Sequence, residues 1–334
     1  MISSKLSRRQ WMMGSALAGG GILGRFSSGS PAAAKRTGGF RIGACDWTLG
    51  FRADPKSLEL AAKLGLDGVQ VDLGDPGAGL PVLKPEVQRT FLEMSKKHKV
   101  AIGSLAIGAL NEVPYKSDPR AERWVGESIE VCQVLGVRVV LLAFFGNGGL
   151  RDDAKGVDAV IQRLKQVTPR AEKAGVVFGF ESWLSARQHL DILDRVGSAA
   201  LRVYYDVANS HKEGHDIYRE IRMLGKHICE FHAKDYDDLY GKGSINFPEV
   251  RRAMDDIGYR GWIHMEGVKM PLGTEGSLRY DLEYLRSIFP AKVKMYGVPE
   301  APVGIYRPSR ADLARHDPAG RLVEFPVAIA RWGP

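Results

Sequence analysis

The chain has 334 residues and a mass of 36.7 kDa, of which 44% are hydrophobic and 26% charged. These proportions exclude wholesale disorder, a collagen-like fibre and a multi-span membrane protein, and the length allows a large core without disulfide staples. The formal charge is +8, yet Lys5, Arg8, Arg9 and Arg25 lie among residues 1–34, where no acid occurs; with those four set aside, the 47 basic residues become 43 against 39 acidic, a balance of +4. No basic stripe interleaved with aromatics follows, so the reading includes no nucleic-acid partner. The three cysteines, Cys45, Cys132 and Cys229, lie far apart in apolar runs and read as buried thiols.

Residues 1–34 read as an address. Ser7-Arg8-Arg9-Gln10-Trp11-Met12 resembles a twin-arginine export motif. An uncharged, glycine-rich run from Trp11 to Gly24 follows, then Ala32-Ala33-Ala34, small residues of the kind a signal peptidase accepts. The expectation is a periplasmic or extracytoplasmic enzyme, exported folded, starting near Lys35 and free of the membrane after cleavage.

From residue 40, short apolar runs alternate with segments of helical period. Strands are predicted near 41–48, 68–73, 100–107, 138–144, 176–182, 201–208, 227–233 and 262–267. Helices are predicted near 56–64, 85–98, 119–135, 153–174, 186–196, 215–224, 247–257 and 275–288. Strands joined by helices must be parallel, because a parallel pair needs a long crossover. Glycines after Leu64, Leu135, Ala174 and Ile257 fit left-handed helix caps. Eight such units over residues 40–289 predict a closed (β/α)8 TIM barrel rather than a doubly wound sheet, and no G-x-G-x-x-G follows the first strand. Residues 290–334 hold seven prolines and little helical period, and read as a C-terminal extension.

Four side chains end four successive predicted strands: Glu181, Asp206, His232 and Glu266. Barrel enzymes place their chemistry at such ends. Three carboxylates and an imidazole converging there would repel one another without a cation. Their donors suit one divalent ion, Mn²⁺, Mg²⁺, Co²⁺ or Zn²⁺. Lys234 could bind a substrate oxygen. Trp47 and Trp183 offer apolar walls to a bound substrate. Asn209 follows Asp206, and His264 shares strand parity with Glu266; both are candidate substrate contacts.

The body, roughly residues 40–289, resembles the xylose-isomerase-like barrels of the sugar phosphate isomerase/epimerase superfamily. The stretches concerned are F-G-F-E-S-W (178–183), Y-Y-D-V-A-N (204–209), E-F-H-A-K-D-Y (230–236), G-K-G-S-I-N-F (241–247) and H-M-E-G (264–267). The resemblance implies that Glu181, Asp206, His232 and Glu266 bind one divalent metal, and that Glu181 and Glu266 move a proton beside a sugar carbonyl through an enediolate. It further implies a small-molecule sugar or keto-glycoside as substrate and is compatible with a homo-oligomer.

The chain departs from the free-ketose epimerases of that family at Asn209, Arg187 and Asp238, where those enzymes carry a histidine, a glutamate and an arginine. Alternatives therefore stay open: a keto-glycoside lyase or hydratase working by elimination on the same metal site, or a sugar-binding protein without turnover. An apurinic-endonuclease branch would need further metal ligands where Ile245 and Phe247 stand.

Overall fold

The computed structural model describes residues 39–267 and 269–291, together with the strand pairs Arg315–His316 and Leu322–Val323, which run antiparallel. The export segment 1–34 and most of the extension 290–334 lie outside the described residues.

Eight strands close into one parallel barrel in chain order. They are β1 (Arg41–Cys45), β2 (Gly68–Asp72), β3 (Ala101–Ile107), β4 (Val139–Phe144), β5 (Val177–Ser182), β6 (Leu201–Asp206), β7 (Ile228–Ala233) and β8 (Trp262–Met265), and β8 pairs back onto β1. The crossovers carry α1 (Lys56–Leu64), α2 (Pro85–His98), α3 (Pro119–Leu135), α4 (Ala154–Ala174), α5 (Ala186–Val196), α6 (Val207–Lys212), α7 (Ile217–Leu224), α8 (Phe247–Asp256) and α9 (Gly273–Ile288). The expected glycine caps form: Gly65, Gly136 and Gly175 follow α1, α3 and α4 with φ of 82°, 69° and 69°.

Three strands stop two or more residues short of their predicted ends, each for a local reason. β1 ends at Cys45, whose carbonyl accepts the N–H groups of Thr48 and Leu49 and folds the chain into a turn. β6 ends at Asp206, which caps α6, a short helix that apolar pattern alone did not suggest. β8 ends at Met265, although Glu266 still donates its N–H to the Ala233 carbonyl and so keeps strand register.

The large apolar core lies between sheet and helices, for example Ile42, Val69, Val140, Phe178, Phe231 and Ile263 packed with Leu58, Ile129, Ile161 and Leu285. Alternate residues of the same strands make a second, small cluster of Ala106, Leu141, Ala143 and Tyr204. Polar side chains share those inward positions. His264, fully buried, fits only because Gly43 and Gly103 face it. A Cβ at either glycine would come within 2.6 or 2.5 Å of its ring. Its Nδ1 meets the Tyr204 hydroxyl at 2.9 Å, and Trp262 stacks on it at 5.3 Å.

Candidate metal centre and active site

The cluster is assembled by register. Asp206 pairs with His232 and His232 with His264 across β6, β7 and β8, while Glu181 stands one residue before the end of β5, one strand away. Side-chain direction alternates along a strand, so Asp206, His232 and Glu266 stand one step above Tyr204, Glu230 and His264. One donor atom from each of Glu181, Asp206, His232 and Glu266 lies within 4.8 Å of every other. His232 Nδ1 is 3.2 Å from Glu181 Oε1, 3.4 Å from Glu266 Oε2 and 3.8 Å from Asp206 Oδ2.

Asp206 divides its work between its two oxygens. Oδ1 accepts the N–H groups of Ala208 and Asn209, both at 2.8 Å, and so starts α6. Oδ2 is buried and has no hydrogen-bond partner. A buried carboxylate oxygen left that way is costly unless a cation approaches it. Burial pushes the Asp206 carboxyl up to about 7; Lys234 pulls against this, while Glu266 and Glu181 reinforce it. This uncommitted oxygen, two flanking glutamates and an imidazole form a donor set that fits a divalent cation.

Lys234 Nζ lies 2.9 Å from Glu266 Oε2 and 3.7 Å from Asp206 Oδ2. Burial disfavours the charge on Lys234, yet those two carboxylates raise its pKa above the ordinary lysine value. Burial alone would raise Glu266; Lys234 and His232 instead hold it down to about 2. Trp47 Nε1–H donates to the other oxygen, Glu266 Oε1, at 3.2 Å. His232, though buried, is driven above its usual pKa by Glu181, Glu266 and Asp206.

A cavity of about 390 Å³ opens over the cluster. Glu181, His232, Glu266, Lys234, Asn209, Trp183 and Trp47 all line it. Trp183 meets Phe145 edge-on at 5.1 Å and forms an aromatic wall with it. Asn209 Nδ2 lies 3.5 Å from Glu181 Oε1, and its carbonyl accepts the Tyr236 hydroxyl. His264 does not line the cavity. The expected substrate contact is corrected here: its ring is locked inside the barrel against Tyr204 and Trp262. Arg187, one of the departures, lines a separate surface cleft with Asp191 and Arg195.

Several site residues escaped the sequence reading. Tyr236 and Phe145 line the cavity beside the expected residues, as do Arg52 and Asp72, paired at 3.0 Å. Gln70 and Cys45 lie beneath His232. Gln70 and Asp72 stand on inward parity in the run G-V-Q-V-D, a polar alternation that could have marked them. Tyr236 and Arg52 sit in loops, where no period exists to read.

The curated relatives matched include a 2-epi-5-epi-valiolone 7-phosphate 2-epimerase of Actinoplanes sp., 27% identical over 53% of this chain and 65% of its own length. A D-psicose 3-epimerase of Enterocloster bolteae is 28% identical over 38% of this chain and 46% of its own. The chain thus spans between about half and two thirds of these relatives. Among solved structures, D-psicose 3-epimerase from Clostridium cellulolyticum with D-tagatose superposes with a TM-score of 0.62 at 18% identity, over 75% of this chain and 99% of that one. A xylose isomerase-like barrel from Mycobacterium smegmatis in complex with magnesium gives 0.60 at 16%, over 75% and 96%. Both likenesses concern the fold. The family model for xylose isomerase-like TIM barrels matches residues 58–288, and with the closed barrel and the strand-end cluster in place, the chain belongs to that family.

Proposed function

We propose that this protein is a divalent-metal-dependent sugar epimerase or isomerase that moves a proton on the carbon next to a carbonyl. The observation carrying this reading is the convergence of Glu181, Asp206, His232 and Glu266 within 4.8 Å at the floor of a cavity walled by tryptophan. The curated relatives named above, both epimerases, support it. Glu181, Asp206, His232 and Glu266 would hold the cation, which supplies a Lewis acid for the substrate's carbonyl oxygen.

The rest is work for the side chains. Glu181 stands one residue before the end of β5 and Glu266 follows β8, with Asp206 and His232 between them in strand order, so they flank whatever lies over the cluster. Glu266 starts ionised, as a base must, because Lys234 and Trp47 donate to its two oxygens. A proton removed by one glutamate and returned to the opposite face by the other inverts the carbon. Lys234 can turn from Glu266 toward a developing substrate oxyanion, and Trp183 with Phe145 can stack on the sugar ring.

The test is incubation of metal-replete protein with keto-sugars and keto-glycosides in D₂O. Deuterium should enter at the carbon beside the carbonyl and an epimer or isomer should form. An unsaturated product would assign elimination instead. Substrates that bind but acquire no deuterium would sink the catalytic reading in favour of a binding protein.

A further inference from the structure

We infer that Gln70 is a positioning residue, whose side-chain carbonyl holds His232 in the tautomer protonated on Nε2 and so presents a bare Nδ1 to the metal. This deepens the metal reading above and rests on it. An imidazole binds a cation only through a nitrogen without a proton, and the neutral ring has one such nitrogen. His232 is 1% exposed, so water does not decide which.

The two nitrogens face opposite chemistry. Nδ1 looks into Glu181, Glu266 and Asp206 at 3.2–3.8 Å. Those carboxylates alone would draw the ring proton onto Nδ1, the arrangement that excludes a metal from that atom. Nε2 lies 2.7 Å from Gln70 Oε1, a shorter contact, with Cys45 Sγ at 3.5 Å. An acceptor at Nε2 is what keeps the proton there.

An amide can face either way, so its outer contacts matter. Gln70 Nε2 donates to Ser104 Oγ at 3.1 Å, which leaves Oε1 on the side of His232. The Cys45 thiol, at 3.3 Å, donates to the same Gln70 oxygen that receives His232. Gln70 and Ser104 are fully buried. The line Ser104–Gln70–His232 therefore runs from β3 through β2 to β7, with the amide oxygen toward the imidazole.

The test compares wild type with Gln70→Met, which keeps length and volume but offers no acceptor, and Gln70→Glu, which keeps an acceptor. Zn²⁺ affinity is measured by chelator competition, and ¹⁵N spectra of the histidine rings are recorded with and without Zn²⁺. With the ring neutral, the expected result is an Nε2–H signal and no Nδ1–H signal for wild-type His232, and a loss of ~10–100-fold in Zn²⁺ affinity for Gln70→Met. Gln70→Glu should stay within a few-fold of wild type or bind more tightly. Thermal melts of the metal-free variants separate this from unfolding. A wild-type Nδ1–H tautomer, unchanged affinity in Gln70→Met, or equal losses in both folded variants would overturn the inference. Wild type that binds no Zn²⁺ would overturn the metal reading instead; a wild-type Nε2–H signal missing from Gln70→Met would still uphold the hold of Gln70 on His232.

Discussion

Asp206→Asn should make the metal-free protein more stable while removing its ability to hold a metal. The folded chain keeps the Asp206 proton far better than the unfolded chain, since burial lifts the carboxyl from 3.8 to about 7. The sign follows by linkage. A carboxyl raised in the folded state costs nothing at a pH below its unfolded value, and the cost grows as pH rises through the folded one. Between 3.8 and about 7 it accumulates to about 4 kcal/mol at most. Asparagine retains Oδ1 and hence both caps at 2.8 Å, and its amide can donate toward the surrounding carboxylates where Oδ2 lacked a partner. It gives up the pull of Lys234, so the net gain at pH 8 should be on the order of 1–4 kcal/mol. Near pH 4 the two proteins should be nearly equal. Glu266 does not blur the comparison: its depressed pKa contributes stability that is lost only as pH falls from 4.5 toward 2. The assay is urea unfolding in chelator at both pH values. At saturating Zn²⁺ the order at pH 8 should narrow or reverse, because wild type gains about 2.7 kcal/mol at a hundredfold excess over Kd and the variant does not. Metal-free Asp206→Asn no more stable than wild type at pH 8 would refute the argument that this carboxylate is buried at a cost.

Glu181→Gln and Glu266→Gln should each retain much of the metal and lose turnover by ~10²-fold or more, measured on the substrate identified by deuterium exchange; near wild-type rates in both would end the two-base mechanism. Lys234→Met removes the donor 2.9 Å from Glu266, so the pKa of that group rises from about 2 and the acid limb of kcat/KM should move to higher pH. Gly43→Ala drives a methyl to within 2.6 Å of His264 and 2.9 Å of the Gly68 carbonyl, and should cost ~1–3 kcal/mol in urea unfolding. The export reading of residues 1–34 predicts that Arg8→Lys with Arg9→Lys leaves the protein in the cytoplasm, as fractionation would reveal.

Sequence alone was enough for the barrel and for the four candidate ligands. Periodicity repeats at every strand and at every helix but α6, and each glycine cap is local chemistry, so neither depends on distant contacts. The candidate ligands were legible because Glu181, Asp206, His232 and Glu266 each close a predicted apolar strand, the end where barrels place their chemistry. What parity could not supply was height along the barrel. His264 and Glu266 share a face, yet the pairing of His264 with His232 and the two glycines opposite its ring seat it in the layer below the cavity. Nor could local sequence announce that Asp206 keeps its second oxygen buried without a hydrogen-bond partner, since that burial comes from the neighbouring strands of the closed barrel. Gln70 reads as an unremarkable polar residue until barrel closure brings β2 against the imidazole of β7, 162 positions further along the chain. Contacts made through barrel closure depend on strand register and shear, and no window of sequence contains both partners.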